Sequence, residues 1–78
     1  MTKIEIIGTG CAKCKRLYAN AEQAVKDLKI TAEVIKVEDL DEIVNRGVML
    51  TPALFINGEL VAEGRVPCVE EIVAMLKE

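Results

Sequence analysis

Seventy-eight residues are enough for one compact core and too few for a second, because small chains bury a smaller share of their surface. Hydrophobic residues make up 51% of the chain and aromatics only 3%, so Ile, Leu, Val, Ala and Met must fill that core. The chain has no His and no Trp and carries a net charge of −3 with no dense basic stripe, which excludes imidazole general-base catalysis and His-containing zinc sites and argues against nucleic acid as a partner.

Ile4, Ile6 and Ile7 form a β-branched run that ends at Gly8-Thr9-Gly10, the pattern of a buried strand entering a tight loop. Cys14, Leu17, Tyr18, Ala21, Val25 and Leu28 then recur at helical spacing, while Lys13, Arg16, Glu22, Gln23 and Lys26 can face water. This predicts a helix from about Cys11 to Leu28, with Tyr18 in the core. From Ala32 to Val37, Val34, Ile35 and Val37 are interrupted by Glu33 and Lys36, as in a half-covered strand at a sheet edge. Asp39 followed by Glu42 resembles a capping box, with Leu40, Ile43 and Val44 as the apolar face of a short helix that Gly47 stops. The acidic run Glu38-Asp39-Asp41-Glu42 reads as a solvated helix start that needs no partner.

Thr51-Pro52 introduces Ala53-Leu54-Phe55-Ile56, and Asn57-Gly58 separates that run from Glu59-Leu60-Val61-Ala62, a strong hairpin signal. Gly64 ends the hairpin, Pro67 suits the first turn of a last helix, and Cys68, Ile72, Met75 and Leu76 are expected on its buried face. The predicted order is βαβαββα, an α/β chain whose four-stranded mixed sheet is covered by helices on both faces. With no repeat, linker or low-complexity stretch, residues 1–78 are expected to form a single domain.

The first residues lack a secretory apolar stretch and no segment reaches bilayer-spanning length, so a cytoplasmic protein with no membrane partner is expected, working as a monomer. In a reducing compartment three cysteines do not read as a structural disulfide framework; the pair Cys11 and Cys14 reads as metal-binding or redox-active. Its position speaks for redox chemistry. Cys11-Ala12-Lys13-Cys14 falls where a strand ends and a helix begins, and a thiol at a helix N-terminus meets unpaired N–H groups and the positive end of the dipole, which bring its pKa below about 8.5. Cys11 is therefore the expected nucleophile, and Lys13, with Lys15 and Arg16 nearby, adds positive potential. Cys14, one turn on, is placed to attack the mixed disulfide that Cys11 forms.

The C-x-x-C after the first strand, the Thr51-Pro52 before the third and the Gly64 exit to the last helix together make the chain resemble the thioredoxin-like superfamily over its whole length. The run Gly8-Thr9-Gly10-Cys11-Ala12-Lys13-Cys14 and the exit Gly64-Arg65-Val66 resemble most closely the small archaeal and bacterial glutaredoxin-like redox-active disulfide proteins. The resemblance implies a minimal thioredoxin or glutaredoxin fold and thiol-disulfide oxidoreductase activity on protein disulfides, without a cofactor and with an upstream reductase. It also implies that Thr51-Pro52 is a cis bond packed against the active-site disulfide, and that Thr51 offers backbone groups to an extended substrate. Typical thioredoxins carry Trp before the first cysteine and Gly-Pro between the two; this chain has Gly10 and Ala12-Lys13. Glutaredoxins carry a Gly-Gly pair and an Asp before the last helix, where this chain has Glu63-Gly64 and Pro67.

Three alternatives bear on the same residues. Small heavy-metal-associated domains also place C-x-x-C after a first strand and hold soft ions through thiolates, but they usually carry Met before the motif and run βαββαβ, ending in a strand. Cys68 is expected to be a structural residue, with a third redox thiol as its other reading. Glu5 is a charged residue in a strand expected to be central, where a carboxylate needs a partner. The resemblance makes it the proton acceptor for Cys14; otherwise it points to solvent or pairs with Lys3 or Lys36.

Overall fold

A computed structural model describes residues 2–10 and 12–77. The elements are β1 (Thr2–Ile7), α1 (Ala12–Leu28), β2 (Ala32–Val37), α2 (Leu40–Asn45), β3 (Ala53–Ile56), β4 (Glu59–Glu63) and α3 (Val69–Lys77). The sheet order is β2-β1-β3-β4. β1 pairs parallel with β2, Thr2 opposite Ala32 through Ile7 opposite Val37, and antiparallel with β3, Ile4 opposite Ile56 through Ile7 opposite Ala53. The expected βαβαββα order, the mixed four-stranded sheet and the edge position of β2 are all observed.

Alternation along β1 sorts the core into two layers. Ile4 and Ile6 face α1 and α3, where they pack with Leu17, Ala21, Ala24, Leu54, Ala62 and Ile72. Ile7 faces the other way and packs with Ala53, Phe55 and Ile43 of α2. Helices therefore cover both faces. Each Ile or Leu taken wholly out of water contributes about 1.5–3 kcal/mol, and Ile4, Ile7, Leu17, Leu54 and Ile72 are all fully buried. The β3–β4 hairpin turns through Asn57 and Gly58, both at positive φ (53° and 84°), the conformation that a two-residue hairpin loop demands. Among the described residues no helix is long and apolar enough to cross a membrane.

The structure corrects three local expectations. Leu40 and Val44 do not line an apolar face: they are 66% and 72% exposed, and Ile43 alone carries α2 into the core. A helix of six residues offers less than two turns, so one inward position is all it can place on the sheet. Asp39 caps α2 as expected, its Oδ1 accepting from the backbone N–H groups of Asp41 (2.8 Å) and Glu42 (3.4 Å), but the Glu42 carboxylate turns away to Arg46 (3.0 Å). Pro67 and Cys68 precede α3 rather than opening it, and Cys68 is exposed, not buried. Its carbonyl accepts from Ile72 N–H at 3.1 Å, yet helical spacing cannot be extrapolated to a side chain that lies before the first helical residue.

Candidate redox site

The site grows from the C-terminal end of β1. Cys14 lies in the first turn of α1 and is buried. A Cβ placed on Gly8 would overlap Cys14 Sγ and stand 3.8 Å from the Cα of Pro52, so the bare backbone of Gly8 is what lets both residues come this close to β1. The Thr51-Pro52 peptide is cis, as the resemblance implied. Pro52 is fully buried beside the cysteine turn, while Thr51 is exposed. Cys11 lies outside the described residues.

Two contacts that local sequence patterns do not announce hold the Pro52 loop. The Pro52 carbonyl accepts from Gly64 N–H at 2.8 Å, tying the loop to the exit of β4. Glu63 Oε2 accepts from the backbone N–H groups of Met49 (2.8 Å) and Leu50 (3.3 Å), so one carboxylate fixes the approach to Thr51. Met49 and Leu50 themselves are 88% and 61% exposed, leaving an apolar rim beside the loop.

Glu5 is buried, with 4% of its surface exposed. Its partner is neither Lys3 nor Lys36 but Arg46, whose Nη2 stands 2.5 Å from Glu5 Oε2. Arg46 follows α2 directly, also pairs with Glu42 (3.0 Å) and lies over the Phe55 ring, 5.3 Å from its centre. The hydrogen bond to Glu5 raises the Arg46 guanidinium above its usual pKa, so it remains a cation throughout the working range. By alternation Glu5 shares the α2 face of β1 with Ile7, whereas Gly8 and the Cys14 sulfur above it lie on the α1 face.

On that α1 face a cavity of about 180 Å³ opens beside Cys14, with Gly8, Gly10, Lys15, Lys36 and Glu38 among its walls. Lys36 reaches across to α1, its Nζ 4.5 Å from the centre of the Tyr18 ring. Lys13 is exposed on the outer side of α1. Far along the chain, Cys68 Sγ lies 3.9 Å from Glu71 Oε1, and Arg65 pairs with the other oxygen of Glu71 at 2.9 Å. That arginine holds the Glu71 carboxyl below its usual range.

The family model described as thioredoxin domain matches residues 2–77. A thioredoxin of Methanothermobacter thermautotrophicus is 47% identical over 76 residues, covering 97% of this chain and 99% of that protein. One from Methanocaldococcus jannaschii is 46% identical over 77 residues, covering 99% of this chain and 88% of that protein. A solved structure of thioredoxin-2, a component of malaria parasite protein secretion machinery, superposes with a TM-score of 0.74 over 99% of this chain and 82% of its own. At 16% identity that likeness is one of fold. With a family model spanning nearly every residue and relatives close to half identical along their length, the chain belongs to the thioredoxin domain family.

Proposed function

We propose that this thioredoxin-like redox protein exchanges thiols and disulfides through Cys11 and Cys14, acting on protein disulfides in the cytoplasm and re-reduced by an upstream reductase. The observation that carries the reading is the approach of Cys14 and Pro52 to Gly8 at the end of β1. It brings a buried thiol in the first turn of a 17-residue helix against a loop whose exposed Thr51 can pair with an extended peptide. Cys11, directly before α1 in the chain, attacks one sulfur of the substrate disulfide; a Cys11–substrate bond forms, and the other substrate sulfur leaves as a thiolate and takes a proton. Cys14 then attacks Cys11, the Cys11–Cys14 bond forms, and the second substrate thiol departs. The protein dithiol has lost two electrons and the substrate disulfide has gained them. Lys13 modulates the potential around the pair; Glu5, which family resemblance suggests as the acceptor for the Cys14 proton, is engaged with Arg46 on the other face of β1. The whole chain acts as one domain and as a monomer, with no resident cofactor. A soft-metal carrier with the same cysteines would run βαββαβ, with its hairpin after the first helix, whereas in this chain the β3–β4 hairpin follows the second helix.

The test is reduction of a protein disulfide with dithiothreitol as the electron source. Cys11→Ser is expected to fall to the uncatalysed rate, and Cys14→Ser to accumulate mixed disulfides with the substrate. Faster alkylation of Cys14 than of Cys11 in the reduced protein near neutral pH would reverse the assignment of nucleophile.

A further inference from the structure

In the second half of the exchange Cys14 must lose its proton before its sulfur can attack, and a buried thiol gives up a proton only to a group within reach or one water away. Glu5 lies on the far face of β1 and is engaged with Arg46. The face that Cys14 occupies carries another carboxylate. Glu38 follows the last residue of β2 and shares the cavity beside Cys14. Its side chain is exposed, yet it turns toward the site: a Cβ on Gly10 would stand 2.9 Å from its Oε2, so the carboxylate lies over the backbone of the loop that leads to the cysteines. Gly10, at a φ of +84°, leaves that space open. Lys36 pairs in register with Ile6 on the same face, and Lys15 comes from the first turns of α1. Lys15, Lys36 and Glu38, all exposed, thus line an open cavity of about 180 Å³ beside the thiol, ample for bridging water.

We propose that Glu38 is the proton acceptor for Cys14, working through water in this cavity, with Lys15 and Lys36 stabilising the thiolate as it forms. The assignment rests on the dithiol-exchange reading above. As Cys14 Sγ attacks Cys11 in the mixed disulfide, its proton passes to the Glu38 carboxylate. The Cys11–Cys14 bond forms, the bond from Cys11 to the substrate sulfur breaks, and its electron pair leaves on that sulfur. The departing thiolate takes the proton back from Glu38, which is returned to its anionic form. The solvated acidic run of the sequence therefore has a working member at its first position.

Single-turnover kinetics separate the two halves of the reaction in wild type, Glu38→Gln, Glu38→Asp and Glu5→Gln. Glu38→Gln is expected to form the mixed disulfide at the wild-type rate and to resolve it about 10²-fold more slowly, the lower end of what a general base supplies. Its resolution rate should keep climbing with pH where that of wild type has levelled off, because hydroxide replaces the missing acceptor. Glu38→Asp should recover part of the loss. Wild-type resolution by Glu38→Gln, or a slow step confined to Glu5→Gln, would overturn the assignment while leaving dithiol exchange standing. Absence of any mixed disulfide or Cys11–Cys14 bond in wild type would overturn both.

Discussion

At Gly8 a single added methyl group would run into Cys14 Sγ. The constraint is one of space: the sulfur is buried, and Pro52 closes the other side. Inserting a methylene-sized group into packed surroundings costs about 1–3 kcal/mol through shifted side chains and backbone. Gly8→Ala is therefore expected to lower the free energy of unfolding by that amount and, because the atom that must move is the sulfur to which the proposed exchange gives the resolving step, to slow mixed-disulfide resolution more than its formation. Parallel chemical denaturation and single-turnover assays would check both; unchanged stability and unchanged resolution would show that the close approach constrains nothing. Cys68 offers the contrast. Its thiol is exposed near the start of α3, where Sγ lies 3.9 Å from Glu71 Oε1 and outside the buried core.

At the scale of elements, α2 is the weakest piece. Six residues are too few to be helical alone, and its hold on the sheet is Ile43 together with the ion pair from Arg46 to Glu5. Removing one partner of a buried pair leaves an uncompensated charge and costs about 3–5 kcal/mol; the guanidinium keeps some exposure, which puts Arg46→Ala near the lower figure. Replacing both members, as Glu5→Leu with Arg46→Met, should restore most of the stability, and a thermodynamic cycle over the four proteins measures the coupling. Additive effects would show that the pair contributes nothing of its own. Because pairing raises the Arg46 pKa, its contribution is complete below the ordinary arginine value and is lost only as pH rises past the folded one. The ion pair at α3 titrates at the other end of the scale. Arg65 lowers the Glu71 pKa, so its stabilisation is present above the ordinary carboxyl value and fades as pH falls through the folded one. In Arg65→Ala the Glu71 midpoint followed by NMR should move up; an unmoved midpoint would remove Arg65 as the cause.

These elements also mark how far local pattern carries. The apolar spacing of Leu17, Ala21 and Leu28, the alternation in β2 and Asn57-Gly58 are each written within a few residues, and α1, β2 and the hairpin lie where those signals put them. C-x-x-C and Thr-Pro were legible as a pair because family resemblance links them, and the approach of Cys14 and Pro52 to Gly8 falls at a residue that sequence presents only as part of a loop. Leu40, Val44 and Cys68 went astray because period alone does not say where a short helix begins or how much of it touches the sheet. Arg46 on Glu5, 41 residues apart, and Glu38 over Gly10 are chosen by the sheet register and strand crossover. No local signal encodes such partners.

Over the whole molecule charge is divided. Residues 1–29 hold six Lys/Arg against three Asp/Glu, and residues 30–78 hold four against ten. The fold turns part of this division into one in space: α1 and α2 cover opposite faces of the sheet, although α3, with exposed Glu70 and Glu71, shares the face of α1. Lys13, Lys15 and Arg16 are exposed on α1; Asp39, Asp41 and Glu42 are exposed at α2. Cys11, the attacking cysteine of the proposed exchange, belongs to the basic part of the sequence, so a disulfide approaching it is expected to meet positive potential first. Charge of this kind acts mainly on encounter rates, by factors of roughly 10 or more in dilute salt, and it is screened within about 3 Å at ~1 M. Small disulfides bearing carboxylates should thus be reduced about tenfold faster than matched disulfides bearing amines at ~0.01 M ionic strength, and the two should converge near ~1 M. Substituting Lys13, Lys15 and Arg16 together by Glu should invert the preference at low salt. Lys15 also walls the cavity beside Cys14, so the comparison is made on the first step alone, formation of the mixed disulfide. Equal low-salt rates for the two wild-type substrates would mean that the acidic face at α2 cancels the basic one at the point of attack, and that the division of charge does not steer substrates.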